Sequence, residues 1–193
     1  MAGRPAVFID RDGCLTDEVG YVNHVSRIRL LPRTADAVRR LNQAGLPAVM
    51  VTNQAGIARG YFSEDVLHAV HAEMVRQLAA QGAHLDRLYV CTHHPHEGQP
   101  PYRAVCDCRK PRPGLLQRAA RELDLDLAAS VMVGDRISDV AVGQAVGAAG
   151  VLVLTGYGRG EWEHQRQEWT VKPDHVAEDL LDAVTWVLTE RRP

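Results

Sequence analysis

The chain has 193 residues, of which 46% are hydrophobic and 24% charged, as in an ordinary globular domain. Its formal net charge is -2, from 22 basic and 24 acidic residues without a basic block, which argues against a dedicated nucleic-acid or anionic-membrane binder. No apolar run approaches the roughly 20 residues of a membrane helix. The N-terminus has no signal-peptide pattern, so we expect a cytoplasmic protein with a single domain over residues 1–193.

Continuous apolar runs alternate with amphipathic helical patterns along the chain. In chain order they predict a strand at 6–9, a helix at 34–44, a strand at 48–52, a helix at 63–81, a strand at 88–91, a helix at 114–123, a strand at 131–133, a helix at 139–148, a strand at 151–154 and a closing helix at about 176–189. Residues 93–113 and 156–173 are expected to be irregular. This alternation predicts an α/β fold with a doubly wound parallel sheet between two helical layers, a three-layer sandwich.

Polar residues follow three predicted strands at the edge where doubly wound sheets bind ligands. Asp10 and Asp12 follow the first strand, Thr52 ends the second, and Asp135 follows the fourth, with Asp139 further on. Asp10 and Asp12 are two residues apart and project to the same side of an extended segment. An acidic pair alone is often a turn or cap former, but three such strand ends together predict a Mg²⁺ site for phosphate chemistry.

Two basic residues lie before the predicted third helix. Arg109 and Lys110 supply the positive charge that a phosphoryl group needs in its transition state. Solvated surface charge is the alternative. Lys110 directly precedes Pro111 and a helix start, where anions bind, and this favours the functional interpretation.

Three of the four cysteines lie close together in the chain, near His93. Cys91, His93, Cys106 and Cys108 offer four soft ligands, which suits a tetrahedral structural zinc site. In a reducing compartment such crowding favours metal over disulfides. The spacing is not the common C-x₂-C knuckle, and the histidines at positions 94 and 96 compete, although alternation puts Cys91 and His93 on one side. Cys14 stands apart and is interpreted as a small buried residue rather than a nucleophile.

The motifs DRDG at 10–13, VTN at 51–53, KP at 110–111 and GD at 134–135, with Asp139, resemble the four motifs of the haloacid dehalogenase (HAD) superfamily in their expected order. A closer resemblance is to the D-glycero-D-manno-heptose 1,7-bisphosphate phosphatases. It is carried by DRDGCLT at 10–16, GYV at 20–22, TNQAGIARG at 52–60, CTHHP at 91–95 and CDCRKP at 106–111. The resemblance extends from about residue 6 to 154 and implies a Rossmann-like HAD fold.

The resemblance also implies a mechanism. Asp10 would attack phosphorus and form an aspartyl-phosphate, and Asp12 would act as general acid and then base. Mg²⁺ would be held by the carboxylates of Asp10 and Asp135 and by the main-chain carbonyl of Asp12, while Thr52 and Lys110 hold the phosphoryl group.

The other implied site residues surround this centre. Asp139 would orient Lys110 or a metal-bound water. The remaining implied substrate contacts are Glu18, Gly20, Tyr21, Asn53, Gln54, Ala55, Arg109 and Arg136.

The resemblance supports structural zinc in the loop at 91–108, which would order Arg109 and Lys110. The chain between the motifs is too short for a large cap domain, so we expect an open site. Its specificity would come from residues 14–22, the zinc loop and the region of Arg136. Cys14 and Thr16 stand where the family mostly has Thr and Asn, and Arg136 replaces a common Lys.

The favoured hypothesis is a monomeric Mg²⁺-dependent phosphatase that converts heptose 1,7-bisphosphate, a small phosphorylated sugar, to heptose 1-phosphate for nucleotide activation. Histidinol-phosphate phosphatase is the close alternative. The long stretch between His93 and Cys106, and the second anion available to Arg109, favour the bisphosphate. A zinc-stabilised, catalytically silent binding module is the third hypothesis, which the intact motifs argue against.

Overall fold

A computed structural model describes residues 3–191. Met1 and Ala2 belong to the N-terminal segment that showed no signal-peptide pattern, and they lie outside the described residues. The strands are β1 (Val7–Ile9), β2 (Ala48–Asn53), β3 (Arg87–Cys91), β4 (Val131–Gly134), β5 (Ala149–Val153) and β6 (His175–Ala177). The helices are α1 (Thr34–Gln43), α2 (Glu64–Ala79), α3 (Gly114–Leu123), α4 (Ile137–Gln144), α5 (Gly158–His164) and α6 (Leu180–Trp186), with a 3₁₀ turn at Val25–Arg27 and a π-helical turn at Val187–Arg191.

The six strands form one parallel sheet in the order β3-β2-β1-β4-β5-β6. Strand order reverses at β1, which pairs with β2 on one side and β4 on the other. Ile9 is in register with Met50 of β2 and Val133 of β4, so the carboxyl ends of these strands lie side by side. The predicted doubly wound sheet is confirmed, and its switch point lies at the predicted Asp10 and Asp12.

Each face of the sheet is covered by a helical layer. Alternate side chains of β1 point to opposite faces: Val7 and Ile9 pack with residues of α1, α2 and α6, whereas Phe8 packs with residues of α3. Because both of their faces are buried, β1, β4 and β5 contain only apolar residues and glycine, as a two-sided sheet requires. The structure therefore has the predicted three layers.

The C-terminal third differs from the prediction in three places. The closing helix does not begin at residue 176, because Val176 pairs with Leu152 of β5 and extends the sheet. Helix α6 begins after Asp179, whose side chain accepts a hydrogen bond from the N–H of Asp182. The supposedly irregular stretch 156–173 contains α5, and the helix predicted at 139–148 covers Ile137–Gln144.

The segments that join the motifs are compact. Within residues 3–191, the connection from β1 to β2 contains only the 3₁₀ turn and α1, and no second sheet is present. None of the helices in this part of the chain is long and apolar enough to cross a membrane. Because the connection from β1 to β2 is short, no cap domain within the described residues covers the carboxyl edge of the sheet.

Candidate active site

A cleft of about 410 Å³ opens at the carboxyl ends of β1, β2 and β4. Every residue predicted for the site lines it except Thr52, which is buried just beneath Gln54. Ser138 is an additional lining residue that the motifs did not indicate. The lining residues are Asp10, Asp12, Glu18, Gly20, Tyr21, Asn53, Gln54, Ala55, Arg109, Lys110, Asp135, Arg136, Ser138 and Asp139.

Three carboxylates and one ammonium form the floor of the cleft. Asp10, Asp135 and Asp139 each present an oxygen within 4.8 Å of the others. The Nζ of Lys110 lies 2.9 Å from Oδ1 of Asp10 and 2.7 Å from Oδ1 of Asp139. The ammonium of Lys110 thus pairs with two of the three acids and leaves Asp135 without an ion-pair partner among the described residues.

Burial dominates the protonation of this floor. It raises the pKa of Asp135 to about 8, and the nearby Asp10 and Asp139 add to the effect. Burial also raises the pKa of Asp139 to about 6, against the opposing charge of Lys110. Burial alone would lower the pKa of Lys110, but Asp10 and Asp139 outweigh it and raise that pKa. A cluster of hard oxygen donors with a deficit of positive charge fits a magnesium ion.

Asn53 ties Lys110 to the end of β2. Its Oδ1 accepts a hydrogen bond from the N–H of Lys110 at 3.1 Å, and its Nδ2 donates to the carbonyl of Lys110 at 3.1 Å. Asn53 was predicted as a substrate contact, and here its amide also positions the lysine through the main chain.

Asp12 is held by two neighbours that sequence analysis did not connect to it. Arg11 is completely buried and donates from Nε and Nη2 to the Asp12 carboxylate at 2.9–3.0 Å. Gln54 donates from Nε2 to Oδ2 of Asp12 at 2.8 Å and to the hydroxyl of Thr52 at 3.0 Å. The signal that could have revealed this arrangement was an arginine placed directly between two motif aspartates.

The predicted zinc ligands converge on one point. The Sγ of Cys108 lies 3.2 Å from that of Cys91 and 3.3 Å from that of Cys106, and 3.3 Å from Nδ1 of His93. A tetrahedral site with Zn–S bonds of about 2.3 Å separates its sulfur ligands by about 3.8 Å. The cluster is close to this geometry and could hold a zinc ion, and all three thiols are free.

The zinc cluster is coupled to the cleft through Arg109. Its Nη1 donates to the carbonyl of His93 at 3.2 Å, so the guanidinium lies against a residue of the cluster. The predicted link between the zinc loop and the two basic residues is thereby a direct contact.

The segment 155–157, at the start of a stretch predicted to be irregular, closes the site around Asp135. The N–H of Tyr157 donates to Oδ2 of Asp135 at 2.8 Å, and the hydroxyl of Thr155 donates to the carbonyl of Gly13 at 2.5 Å. Gly156 has φ +55°, and a Cβ there would lie 2.2 Å from Oδ2 of Asp135. Gly13, with φ +75°, would make an equal clash with the same oxygen, so the carboxylate fits only between two glycines.

Two further walls complete the cleft. Arg136 lies over the ring of Tyr157, with 3.8 Å between Cζ and the ring centre, and its Nη1 is 3.5 Å from Oε1 of Glu161. Elsewhere in the lining, the carboxylate of Glu18 accepts a hydrogen bond from the N–H of Gly20 at 2.6 Å. Cys14 is fully buried as predicted, and burial raises the pKa of its thiol well above the usual value.

Comparison with known proteins gives a consistent assignment. A HAD-hydrolase-like family model matches residues 107–183. A D-glycero-D-manno-heptose-1,7-bisphosphate 7-phosphatase of Thermosynechococcus vestitus is 44% identical over 201 residues, covering 98% of each chain. The D-glycero-beta-D-manno-heptose-1,7-bisphosphate 7-phosphatase of Escherichia coli K12 is 44% identical over 154 residues, covering 79% of this chain and 80% of the relative.

A solved structure extends the similarity to three dimensions. The D,D-heptose 1,7-bisphosphate phosphatase of B. bronchiseptica, complexed with magnesium and phosphate, superposes with a TM-score of 0.85 at 34% identity. The match covers 96% of this chain and 99% of that one.

Proposed function

The chain belongs to the heptose-1,7-bisphosphate 7-phosphatase family of the HAD superfamily, and on that premise we propose that it hydrolyses the 7-phosphate of D-glycero-D-manno-heptose 1,7-bisphosphate. The products are heptose 1-phosphate and inorganic phosphate. The observation that carries the proposal is the meeting of Asp10, Asp12, Lys110 and Asp135 in one cleft.

Asp10 is the nucleophile. Its carboxylate attacks phosphorus, the bond from phosphorus to the sugar oxygen breaks, and an aspartyl-phosphate forms. Asp12 gives a proton to the departing oxygen, then takes one from the water that hydrolyses the aspartyl-phosphate. Its place beside Arg11 and Gln54 supports this role, because both hold the carboxyl group at the cleft.

Lys110 holds the phosphoryl oxygens, whereas Thr52, to which the family resemblance gives the same role, does not line the cleft and its hydroxyl accepts a hydrogen bond from Gln54. Asp139, 2.7 Å from the lysine ammonium, keeps that charge aimed at the reacting group. When bound, Mg²⁺ screens the repulsion between carboxylate and phosphate, and the carboxylates of Asp10 and Asp135 with the carbonyl of Asp12 would hold it.

The rest of the cleft recognises the sugar and its second phosphate. Glu18, Gly20 and Tyr21 form one wall, and their polar groups suit sugar hydroxyls. Arg109 and Arg136 supply two guanidinium groups for the 1-phosphate, since each can bind phosphate with paired N–H donors. Two arginines beyond the Lys110 centre favour a bisphosphate over histidinol phosphate, which has one phosphoryl group.

The test is phosphate release from heptose 1,7-bisphosphate (both anomers), histidinol phosphate and p-nitrophenyl phosphate, each with and without Mg²⁺. We expect the bisphosphate to give the highest kcat/KM, and turnover to need Mg²⁺. Asp10→Asn should abolish turnover, whereas Asp65→Asn, which changes an exposed carboxylate on α2, should leave it unchanged. A preference for histidinol phosphate would overturn the substrate, and absence of any phosphate release would favour a silent binding module.

The same proposal includes a monomer that works in the cytoplasm. The four free cysteines suit a reducing compartment. Light scattering during gel filtration and fractionation of cells measure these two properties.

A further inference from the structure

Arg11 is the largest completely buried side chain among the described residues. Arginine is rarely buried unless its charge and its N–H groups are matched. Its charge is matched by Asp12, which forms its ion pair at 2.9 Å within this part of the chain. Its Nη2 also donates to Oε1 of Gln54 at 3.0 Å.

The remaining arm of the guanidinium is held by helix α2. Nη1 of Arg11 lies 3.1 Å from Nε2 of His71, which is itself buried. A guanidinium can only donate, so Nε2 of His71 accepts and the imidazole is neutral with its proton on Nδ1. Burial first, and then the charge of Arg11, hold the pKa of His71 down to about 3, so the acceptor persists at neutral pH.

Neither Arg11 nor His71 lines the cleft, and the guanidinium of Arg11 is engaged with Asp12, Gln54 and His71. Their contacts form a chain from α2 through the guanidinium to the carboxyl group of Asp12. Without His71, Nη1 would be a buried donor without its partner, and the guanidinium could turn away from Asp12 to satisfy it. The position of the Asp12 carboxyl group therefore depends on a helix that forms no part of the cleft.

We propose that His71, acting through Arg11, is a positioning residue that holds the carboxyl group of Asp12 in place for proton transfer. This inference rests on the proposed role of Asp12 as general acid and base.

The experiment compares substrates that need a proton on the leaving group to different extents. The sugar oxygen of heptose bisphosphate must be protonated as it departs, whereas p-nitrophenolate leaves without a proton. His71→Leu should lower kcat/KM for the bisphosphate by about tenfold or more, a part of the 10²–10⁴ that general acid catalysis supplies. For p-nitrophenyl phosphate, kcat/KM should fall less than about threefold, because kcat/KM covers only the steps up to departure of the leaving group and p-nitrophenolate needs no proton. A loss of kcat is expected for both substrates, because Asp12 also activates the water that hydrolyses the aspartyl-phosphate.

Two polar variants test the acceptor itself. His71→Gln can present its Oε1 near the place of Nε2 and should regain most of the wild-type kcat. His71→Asn has a shorter side chain and should behave like the leucine variant. His68→Leu, an exposed histidine on the same helix, is the matched control and should keep wild-type kinetics. Thermal unfolding of each variant shows that folded proteins are compared.

Asp12→Asn separates this inference from the proposed function. A large loss of kcat/KM on the bisphosphate with a small loss on the aryl phosphate supports the role of Asp12 as general acid. If Asp12→Asn shows this contrast and the His71 variants show none, or if Gln and Asn variants behave alike, the positioning role is overturned. If Asp12→Asn itself shows no contrast, the proposed role of Asp12 fails and this inference fails with it.

Discussion

The guanidinium of Arg136 lies over the ring of Tyr157, with Cζ 3.8 Å from the ring centre. Arg136 lines the cleft, whereas Tyr157 comes from the segment after β5 that sequence patterns left without structure. A cation above an aromatic face gains roughly 0.5–1 kcal/mol at an exposed site. Tyr157 therefore holds a charged group that lines the cleft, although Tyr157 itself does not line it.

The first prediction concerns this pair. Tyr157→Leu should raise KM for heptose 1,7-bisphosphate by about two- to fivefold, with little change in kcat, because Arg136 loses its platform. Tyr157→Phe keeps the ring and should match the wild type. Steady-state kinetics measure both, and an unchanged KM in the leucine variant would argue that Glu161 alone holds Arg136.

The second prediction concerns the buried pair of Lys110 and Asp139. Asp139→Asn removes one of the two carboxylates that neutralise the ammonium, leaving Asp10 as its remaining ion-pair partner among the described residues. Breaking a buried pair costs about 3–5 kcal/mol, and the surviving partner should reduce that to roughly half. We expect a lower Tm and a kcat reduced by at least about tenfold. Wild-type values of both would show that Asp10 alone is sufficient to hold the lysine.

The third prediction concerns Gly156. Gly156→Ala places a Cβ 2.2 Å from Oδ2 of Asp135 and 2.6 Å from Cα of Gly13, at a φ of +55°. Asp135 must move, so we expect loss of most activity and a higher Mg²⁺ concentration for half-maximal rate. Gly160→Ala is the control: its Cβ meets no atom within 4 Å, and in α5 it should stabilise the fold by about 0.5–1 kcal/mol. Equal activity of the two variants would contradict the steric argument.

The fourth prediction concerns zinc. We expect metal analysis to find about one zinc per chain. Cys14→Ala should retain the zinc and Cys108→Ala should lose it, because Cys108 belongs to the cluster and Cys14 does not. Metal loss should also lower activity, since Arg109 contacts His93 and Lys110 follows directly in the chain. A metal-free Cys108→Ala variant with full activity would separate the cluster from the cleft.

The fifth prediction concerns pH. Burial first, then the charges of Arg11 and His68, lowers the pKa of His71 from 6.5 to about 3. Between these values the unfolded chain binds a proton on His71 that the folded chain does not. The free energy of unfolding is therefore unaffected above about pH 6.5 and falls as pH drops towards 3.

At pH 5 this difference amounts to about 2 kcal/mol. His71→Leu should lose that part of the pH dependence, and His68→Leu should keep most of it, because burial and Arg11 lower the pKa of His71 more than His68 does. Urea unfolding at pH 7 and pH 5 measures the slope. The same slope in His71→Leu and wild type would mean that the folded protein takes up the proton on His71 at an ordinary pKa.

Sequence patterns predicted the first five strands of the chain well because both faces of a parallel sheet are buried, which leaves continuous apolar runs. They missed β6 because a three-residue edge strand, His175–Ala177, has too few buried side chains to differ from the start of the next helix. They missed α5 for a related reason: Gly158–His164 is glycine-containing and mostly exposed, so its pattern lacks an apolar stripe. The polar residues at the strand ends, together with the family resemblance, indicated thirteen of the fourteen residues that line the cleft.

The sequence by itself determined the chemistry of the site: carboxylates after β1 and β4, a hydroxyl on β2, and a lysine beside a cluster of thiols. These are properties of residue types at strand ends, and the parallel sheet brings strand ends together. Only the tertiary structure decided which groups hold them, because Arg11 with His71, and Asp135 with Tyr157, join residues 60 and 22 positions apart. Such contacts depend on how α2 and the segment after β5 pack on the sheet. Apolar periodicity predicts that an element packs, but it does not indicate which polar side chains then meet.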